Sequence, residues 1–139
     1  MNFKLLYQTQ AGWGMFFMRV VTGIVFIGHG APKFGIGSDR TLAGTAEFLG
    51  SLGIPLPAVS AFLVSSFELV GGVFLIIGLL TRFWSAGLAF AMFIAVALVH
   101  FDAGMFAQGG YQWALLLMAC SLTLMVEGAG KLSVDAKLS

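Results

Sequence analysis

The chain has 139 residues, of which 59% are hydrophobic and only 9% are charged, and its formal net charge is +1. A water-soluble domain carries about a quarter charged residues, so the polar surface is too small for a soluble core and we predict one membrane domain spanning residues 1–139. The small net charge argues against nucleic-acid binding, which needs a clustered basic surface. The single cysteine, Cys120, excludes an intrachain disulfide.

Four apolar segments approach or reach the roughly 20 helical residues that cross a bilayer. The first, about residues 12–30, contains Arg19 and no cleavage pattern follows it, so we interpret it as a retained span. The second, about 58–80, follows a proline-containing turn; the third and fourth are about 83–101 and 111–126. None alternates polar with apolar residues as barrel strands do. The predicted fold is an all-α, four-helix membrane bundle.

The connection of residues 31–57 contains a further predicted helix. Ser38 and Asp39 are candidate N-caps, and apolar residues recur at helical spacing over about 40–52 until Gly53 ends the pattern. We therefore expect a short amphipathic helix in the first outer loop, lying on or dipping into the bundle.

Lysine and arginine residues in the short connections predict the orientation, because they are enriched on the cytoplasmic side. With four spans, both termini and the turn between the second and third spans share one side. That side holds four cations against two on the other, which predicts cytoplasmic termini. The four are Lys4, Arg82, Lys131 and Lys137; the two are Lys33 and Arg40.

Two opposite charges lie near the middle of the first two spans. An unpaired charge at the bilayer centre costs at least about 3 kcal/mol, so Arg19 is predicted to pair with Glu68 of the antiparallel neighbour. Gly23 and Gly72 would let the backbones approach. The pair is either a structural ion pair that fixes helix register or a functional one that relays protons or orients a cofactor, and the sequence leaves both open.

Polar residues collect at the predicted outer ends of three spans. His29 ends the first span and His100 ends the third, and imidazoles transfer protons near neutral pH. Three interpretations are open: histidines facing lipid headgroups, a metal site, or a pocket for a lipophilic carbonyl compound such as a quinone. No metal-ligand or haem motif is recognisable. The predicted quinone-binding residues are His29, Lys33, His100, Asp102 and Gln112, and the predicted catalytic residues are His29, His100, Glu68 and Arg19.

After Arg19, several short motifs follow one another along the chain. They are H-G-x-x-K at 29–33, L-G-I-P at 52–55, E-L-V-G-G at 68–72, G-L-L-T-R at 78–82, His100 and G-G-Y at 109–111. Over about residues 13–127 the chain therefore resembles the DoxX family of small four-helix bacterial membrane proteins.

The resemblance implies a bundle in the inner membrane, related to the large subunit of thiosulfate:quinone oxidoreductase. Other members are associated with catechol, quinone or thiol stress. Where the family pattern has a glutamate after G-G-Y, this chain has Gln112, and Asp102 is a candidate substitute. The polar positions that the resemblance implies are Arg19, His29, Lys33, Glu68, Arg82 and His100.

The leading hypothesis is a membrane subunit of a quinone-linked oxidoreductase or redox-stress system, with electrons supplied by a partner or by the bound substrate. Whether the chain itself catalyses a reaction stays open. One alternative is a non-catalytic scaffold that anchors a redox partner through the outer loop or the tail. Another is a proton-coupled small-molecule transporter that uses Glu68. All three require the lipid bilayer and allow a protein partner or a homo-oligomer.

Overall fold

The computed structural model describes residues 13–139, and within them every regular element is helical. The beginning of the first predicted span and Lys4 lie outside the described residues. The helices are α1 (Trp13–Gly30), α2 (Leu42–Ser51), α3 (Pro57–Ile77), α4 (Thr81–Ile94), α5 (Gln112–Glu127) and α6 (Val134–Leu138).

Helices α1 and α4 continue beyond their α-helical parts into turns of other helical types. A 3-10 turn, Ala31–Phe34, extends α1, and Pro32 within it supplies no backbone N–H for a continuing α-helix. The π-helical segment Ala95–His100 and a 3-10 turn, Phe101–Ala103, extend α4. Since a π-turn rotates the residues that follow it relative to a regular α-helix, the segment changes the direction in which His100 points.

Three helical stretches are long and apolar enough to cross a membrane. They have 22, 21 and 23 residues and cover Trp13–Phe34, Pro57–Ile77 and Thr81–Ala103. Helix α5 is apolar but has 16 residues, which is about 24 Å and therefore shorter than the roughly 30 Å hydrocarbon core. The all-helical, membrane-type fold is confirmed, while a fourth span stays a prediction.

The long helices alternate in direction, which gives the bundle two distinct ends. We call the end with residues 31–56 and 101–111 the loop end, and the end with the α3–α4 turn and residues 128–139 the tail end. At the tail end, Gly78 ends α3 in the left-handed conformation (φ 71°), and its N–H donates to the carbonyls of Phe74 and Leu75. A residue with a side chain is strained in this conformation.

Helices α1 and α3 pack backbone to backbone along glycines. A Cβ atom placed on Gly23 would lie 2.6 Å from the carbonyl oxygen of Gly72, and one on Gly30 would lie 2.5 Å from the backbone nitrogen of Leu69. Small residues allow this close approach between membrane helices. Gly30 is therefore required by the close approach of the α3 backbone.

The register of these two helices makes the predicted Arg19–Glu68 pair wrong. Glu68 lies opposite Gly30, whereas Arg19 lies against Gly78, ten residues further along α3. At 1.5 Å per residue this separates the two charged levels by about 15 Å. The reason is that α3 begins beyond the end of α1 and packs there against α2, so distance from the helix ends does not measure depth.

Helix α2 falls within the predicted segment 40–52, but its N-cap differs from both predicted residues. The Thr41 hydroxyl accepts a hydrogen bond from the Gly44 N–H at 3.0 Å. Ser38 instead donates to the Pro32 carbonyl and accepts from the Arg40 N–H. The serine thus stabilises the turn between α1 and α2.

The best-buried apolar side chains come from all four long helices. They are Phe26, Leu75, Leu88 and Leu124, and Met15 and Met18 pack against them. Most of these residues lie in the half of their helix nearest the tail end. The bundle is therefore closed toward the tail end, which leaves its loop-end half open to a cleft.

Candidate functional site

Lys33 and Glu68 form an ion pair at the loop end of α1 and α3. The Lys33 Nζ atom lies 2.5 Å from the Glu68 Oε2 atom, and the side chains are 18% and 5% exposed. Lys33 reaches Glu68 because the 3-10 turn after Gly30 directs it back over α3. Within residues 13–139 this is the one ion pair with oppositely charged atoms within 4 Å.

The pair lines a large cleft in the loop-end half of the bundle. The cleft has a volume of about 1840 Å³, and residues of α1 to α5 line it. Its walls are mostly apolar, and its lining begins at Val21 on α1 and at Gly87 on α4, so the turns of these helices nearest the tail end do not line it. A large apolar cleft with a few convergent polar groups is typical of a small-molecule site.

Both histidines line the cleft, and each is held by a backbone carbonyl. The His29 Nδ1 atom lies 2.8 Å from the Val25 carbonyl oxygen, and the His100 Nδ1 atom lies 2.7 Å from that of Gly109. Because a carbonyl oxygen only accepts, each Nδ1 must carry the hydrogen. The Nε2 atom of each neutral ring is therefore left to accept a proton or a hydrogen bond.

The predicted site residues separate into two groups. Five of them line the same cleft: His29, Lys33, Glu68, His100 and Gln112. Asp102 is exposed on its 3-10 turn outside the cleft, so it does not replace the glutamate expected at Gln112. Arg19 lies at the tail end, as does Arg82, which is exposed at the start of α4.

Arg19 is fully buried and contacts the C-terminal segment. Its Nη2 atom donates to the Leu132 carbonyl at 2.9 Å, and its guanidinium carbon lies 5.7 Å from the centroid of the Phe16 ring, a cation–π distance. A Cβ atom on Gly78 would overlap the guanidinium. Arg19 thus occupies the space that the glycine at the end of α3 leaves open.

The C-terminal segment, residues 129–139, folds back over the tail end, and we call it the strap. Asp135 accepts hydrogen bonds from the backbone N–H groups of Leu80 at 2.8 Å and Thr81 at 2.9 Å, so it caps α4 from a distant part of the chain. Its own N–H donates to the Gly78 carbonyl.

The environment of Asp135 lowers its pKa. Burial by itself raises the pKa of the carboxyl, but the N–H groups of Thr81 and Leu80 and the charge of Arg19 stabilise the carboxylate more strongly, so the pKa falls below its usual value. Because its pKa is lowered when the strap is packed on the bundle, the ionised carboxyl stabilises this packed state at pH values above the ordinary pKa of about 3.9. That stabilisation is lost as the pH falls through the lowered value.

We therefore expect acid to release the strap. A spin label attached to the thiol introduced by Lys137→Cys, in a Cys120→Ser background, should become mobile as the pH falls from about 4 through the lowered pKa of Asp135. With Asp135→Asn added, the label should be mobile at neutral pH as well. The control is a label introduced through Asp102→Cys, at an exposed position of the loop end, whose mobility should not change. A strap label that stays immobile in acid would contradict this role of Asp135.

The sequence pattern did not predict the folded-back strap or the position of Cys120 in the cleft. Ser133 carries a readable signal, since its hydroxyl accepts from the Ala136 N–H as a helix N-cap, and a serine followed by an acidic residue in the first turn, here Asp135, is typical of a helix start. Cys120 is half-buried and lines the cleft. Nothing in the sequence near Cys120 indicates this position.

These features define an all-helical membrane protein with a mostly apolar cleft that an ion pair and two histidines line. A sequence profile of the DoxX family matches residues 14–101, and the chain belongs to that family. No solved structure matches the chain significantly.

Relatives cover most of the chain. A Bacillus subtilis (strain 168) protein named "Putative oxidoreductase CatD" is 34% identical over 122 residues, which are 88% of this chain and 84% of the relative. The Escherichia coli (strain K12) protein named "Inner membrane protein YphA" is 23% identical over 135 residues, 86% of each chain. An uncharacterized Haemophilus influenzae protein is 30% identical over 129 residues, 87% of each chain.

Proposed function

We propose that the protein is an integral membrane subunit of a quinone-linked oxidoreductase or redox-stress system. The loop-end cleft would bind the quinone or a small redox substrate. The observation that carries the proposal is the convergence of an ion pair and two imidazoles on one apolar cleft. The relative whose name includes oxidoreductase supports a redox role.

The polar groups of the cleft match the needs of a quinone. Reduction of a quinone consumes protons together with electrons, and its carbonyl oxygens accept hydrogen bonds. Lys33 has donors besides the one directed at Glu68. The Nε2 atoms of His29 and His100 would take up protons and deliver them to a carbonyl oxygen. Gln112 would orient the ring by donating a hydrogen bond, and it cannot supply a proton.

The order of the helices, together with the charges, supports an orientation for this chemistry. Arg82, Lys131 and Lys137 lie toward the tail end, and an excess of cations favours the cytoplasmic side. We propose cytoplasmic termini in the inner membrane, with the cleft near the outer surface. Electrons would then come from the bound substrate or from a partner, which a homo-oligomer or another membrane subunit would supply.

Binding to the purified protein tests the proposal. A ubiquinone or menaquinone analogue is expected to bind saturably to the wild type, and His29→Ala combined with His100→Ala should weaken binding about tenfold or more, the equivalent of about 1.4 kcal/mol. Both rings are held by one hydrogen bond to a carbonyl, so the double variant should fold. Asp102→Asn, which changes an exposed polar residue of the same end outside the cleft, is the matched control.

Equal binding by the wild type and the double histidine variant would refute the assignment of the histidines. Absence of saturable binding to the wild type would refute the quinone site itself. In that case, loss of partner co-purification on changing the loop or the strap would favour a scaffold. Substrate flux into proteoliposomes that follows a pH gradient and disappears in Glu68→Gln would favour a transporter.

A further inference from the structure

We infer that the ligand of the cleft carries a hydrocarbon chain and enters sideways from the bilayer. The inference rests on the proposed function for the place of the head group. It adds the class of ligand, an amphiphile with a hydrogen-bond-accepting head, and its route. The alternative class is a water-soluble ring compound that enters at the membrane surface.

The volume of the cleft is larger than a quinone ring alone would fill. Sites for drug-sized ligands have volumes of roughly 300–1,000 Å³, and this cleft has about 1840 Å³. On α4 its lining runs from Gly87 to His100, which is about 20 Å along a helix axis. A head group at the loop end would leave most of that length to be filled by something else.

The polarity of the cleft changes along its length. Glu68 lies level with Gly30, and Lys33 pairs with it there, whereas Val21, Val25 and Phe26 line the cleft four to nine residues further inward on α1. A polar head and an apolar chain on one molecule match this gradient, because the chain makes packing contacts with the apolar inner part that a ring alone does not reach. A compact polar ligand makes no such contacts.

The sides of the cleft are open at the depth of the apolar helices. Leu63 of α3 is 51% exposed, Phe90 of α4 is 67% exposed and Leu116 of α5 is 53% exposed, and all three also line the cleft. Side chains of this kind on spanning helices face lipid tails. A chain-bearing molecule dissolved in the bilayer therefore meets the cleft directly, without crossing the headgroup layer.

Two benzoquinones with the same head group test the inference, one bearing a decyl chain and one bearing only a methyl group. We measure their binding to the whole protein in detergent micelles, corrected for partition into the micelle, in a Cys120→Ser background that prevents addition of the thiol to the ring. The decyl compound is expected to bind roughly a hundredfold more tightly, and at least about tenfold.

A matched pair of variants on one helical stretch locates the chain. Ala91→Phe fills space along the apolar α4 wall of the cleft, and it should reduce the affinity for the decyl compound about tenfold while leaving the methyl compound unchanged. Ala97→Phe makes the same change at an exposed position that does not line the cleft, and it should alter neither affinity.

The outcomes separate the inference from the proposed function. Equal affinities for the two compounds, or an equal loss of both in Ala91→Phe, would overturn the hydrocarbon-chain inference and leave the quinone site standing. Displacement of the decyl compound by phosphatidylglycerol at equal mole fraction would assign the cleft to bulk phospholipid and overturn the inference. Failure of both compounds to bind the wild type would refute the proposed function itself.

Discussion

Deletion of residues 129–139 is expected to remove most of the folded protein from detergent extracts of the membrane. The strap supplies the Leu132 carbonyl that accepts from the fully buried Arg19 and the carboxylate of Asp135 beside it. Leaving a buried charge without these partners costs about 3–5 kcal/mol, a large part of the roughly 5–15 kcal/mol that stabilises a typical domain. The measurement is the monodisperse yield, followed by thermal unfolding of what remains.

A shorter deletion and an Arg19→Leu background distinguish the effect of leaving the Arg19 charge without partners from the effect of removing the C-terminal segment. Deletion of only residues 137–139 keeps both partners of Arg19 and should leave the unfolding temperature near that of the wild type. In an Arg19→Leu background, deletion of the whole strap should cost only about 1 kcal/mol, the usual value of a lost helix cap. A strap deletion that is equally harmful with and without Arg19 would contradict the proposed coupling.

Lys33→Met is expected to destabilise the protein by about 3–5 kcal/mol, and more than Glu68→Gln does. Lys33→Met is expected to cost more stability than Glu68→Gln because the charge that it leaves behind is less exposed: the Glu68 side chain is 5% exposed and that of Lys33 is 18% exposed. A lysine left alone can turn its long stem so that the ammonium reaches water at the loop end, whereas the Glu68 carboxylate cannot. Thermal or denaturant unfolding in micelles measures both changes.

The double variant, Lys33→Met with Glu68→Gln, is the informative control. Replacing both charges removes the ion pair without leaving a buried charge, so most of the stability lost in Lys33→Met should return. Arg40→Met changes an exposed cation of the same connection and should shift stability by less than about 0.5 kcal/mol. Losses that simply add in the double variant would show that Lys33 and Glu68 do not interact.

The elements that the sequence predicted well are those that depend on the length of an apolar run. The all-helical fold and the family are confirmed. That His29 and His100 line one cleft could also be predicted, because alternate helices direct the ends of α1 and α4 toward the same end of the bundle. Their relative depth could not be predicted, because it depends on the register of α1 against α3. Their role in binding a quinone stays a proposal.

The partners of the two buried charges could not be predicted from position along each span. The error came from assuming that Arg19 and Glu68 lie at equal depth. Glycine spacing on two helices fits several registers, and the register here depends on α2 packing against α3, beyond the end of α1. The strap was missed because a short run of mostly small and polar residues carries no hydrophobic period.

Photolabelling in native membranes tests most directly whether the loop-end cleft holds the ligand. An azidoquinone is bound to the wild-type protein, irradiated with and without an excess of the decyl quinone, and its adducts are mapped by mass spectrometry. We expect adducts that the competitor abolishes in the loop-end halves of α1, α3, α4 and α5, where the cleft residues lie. Adducts in the strap, or labelling of all lipid-facing residues that the competitor does not reduce, would contradict the account.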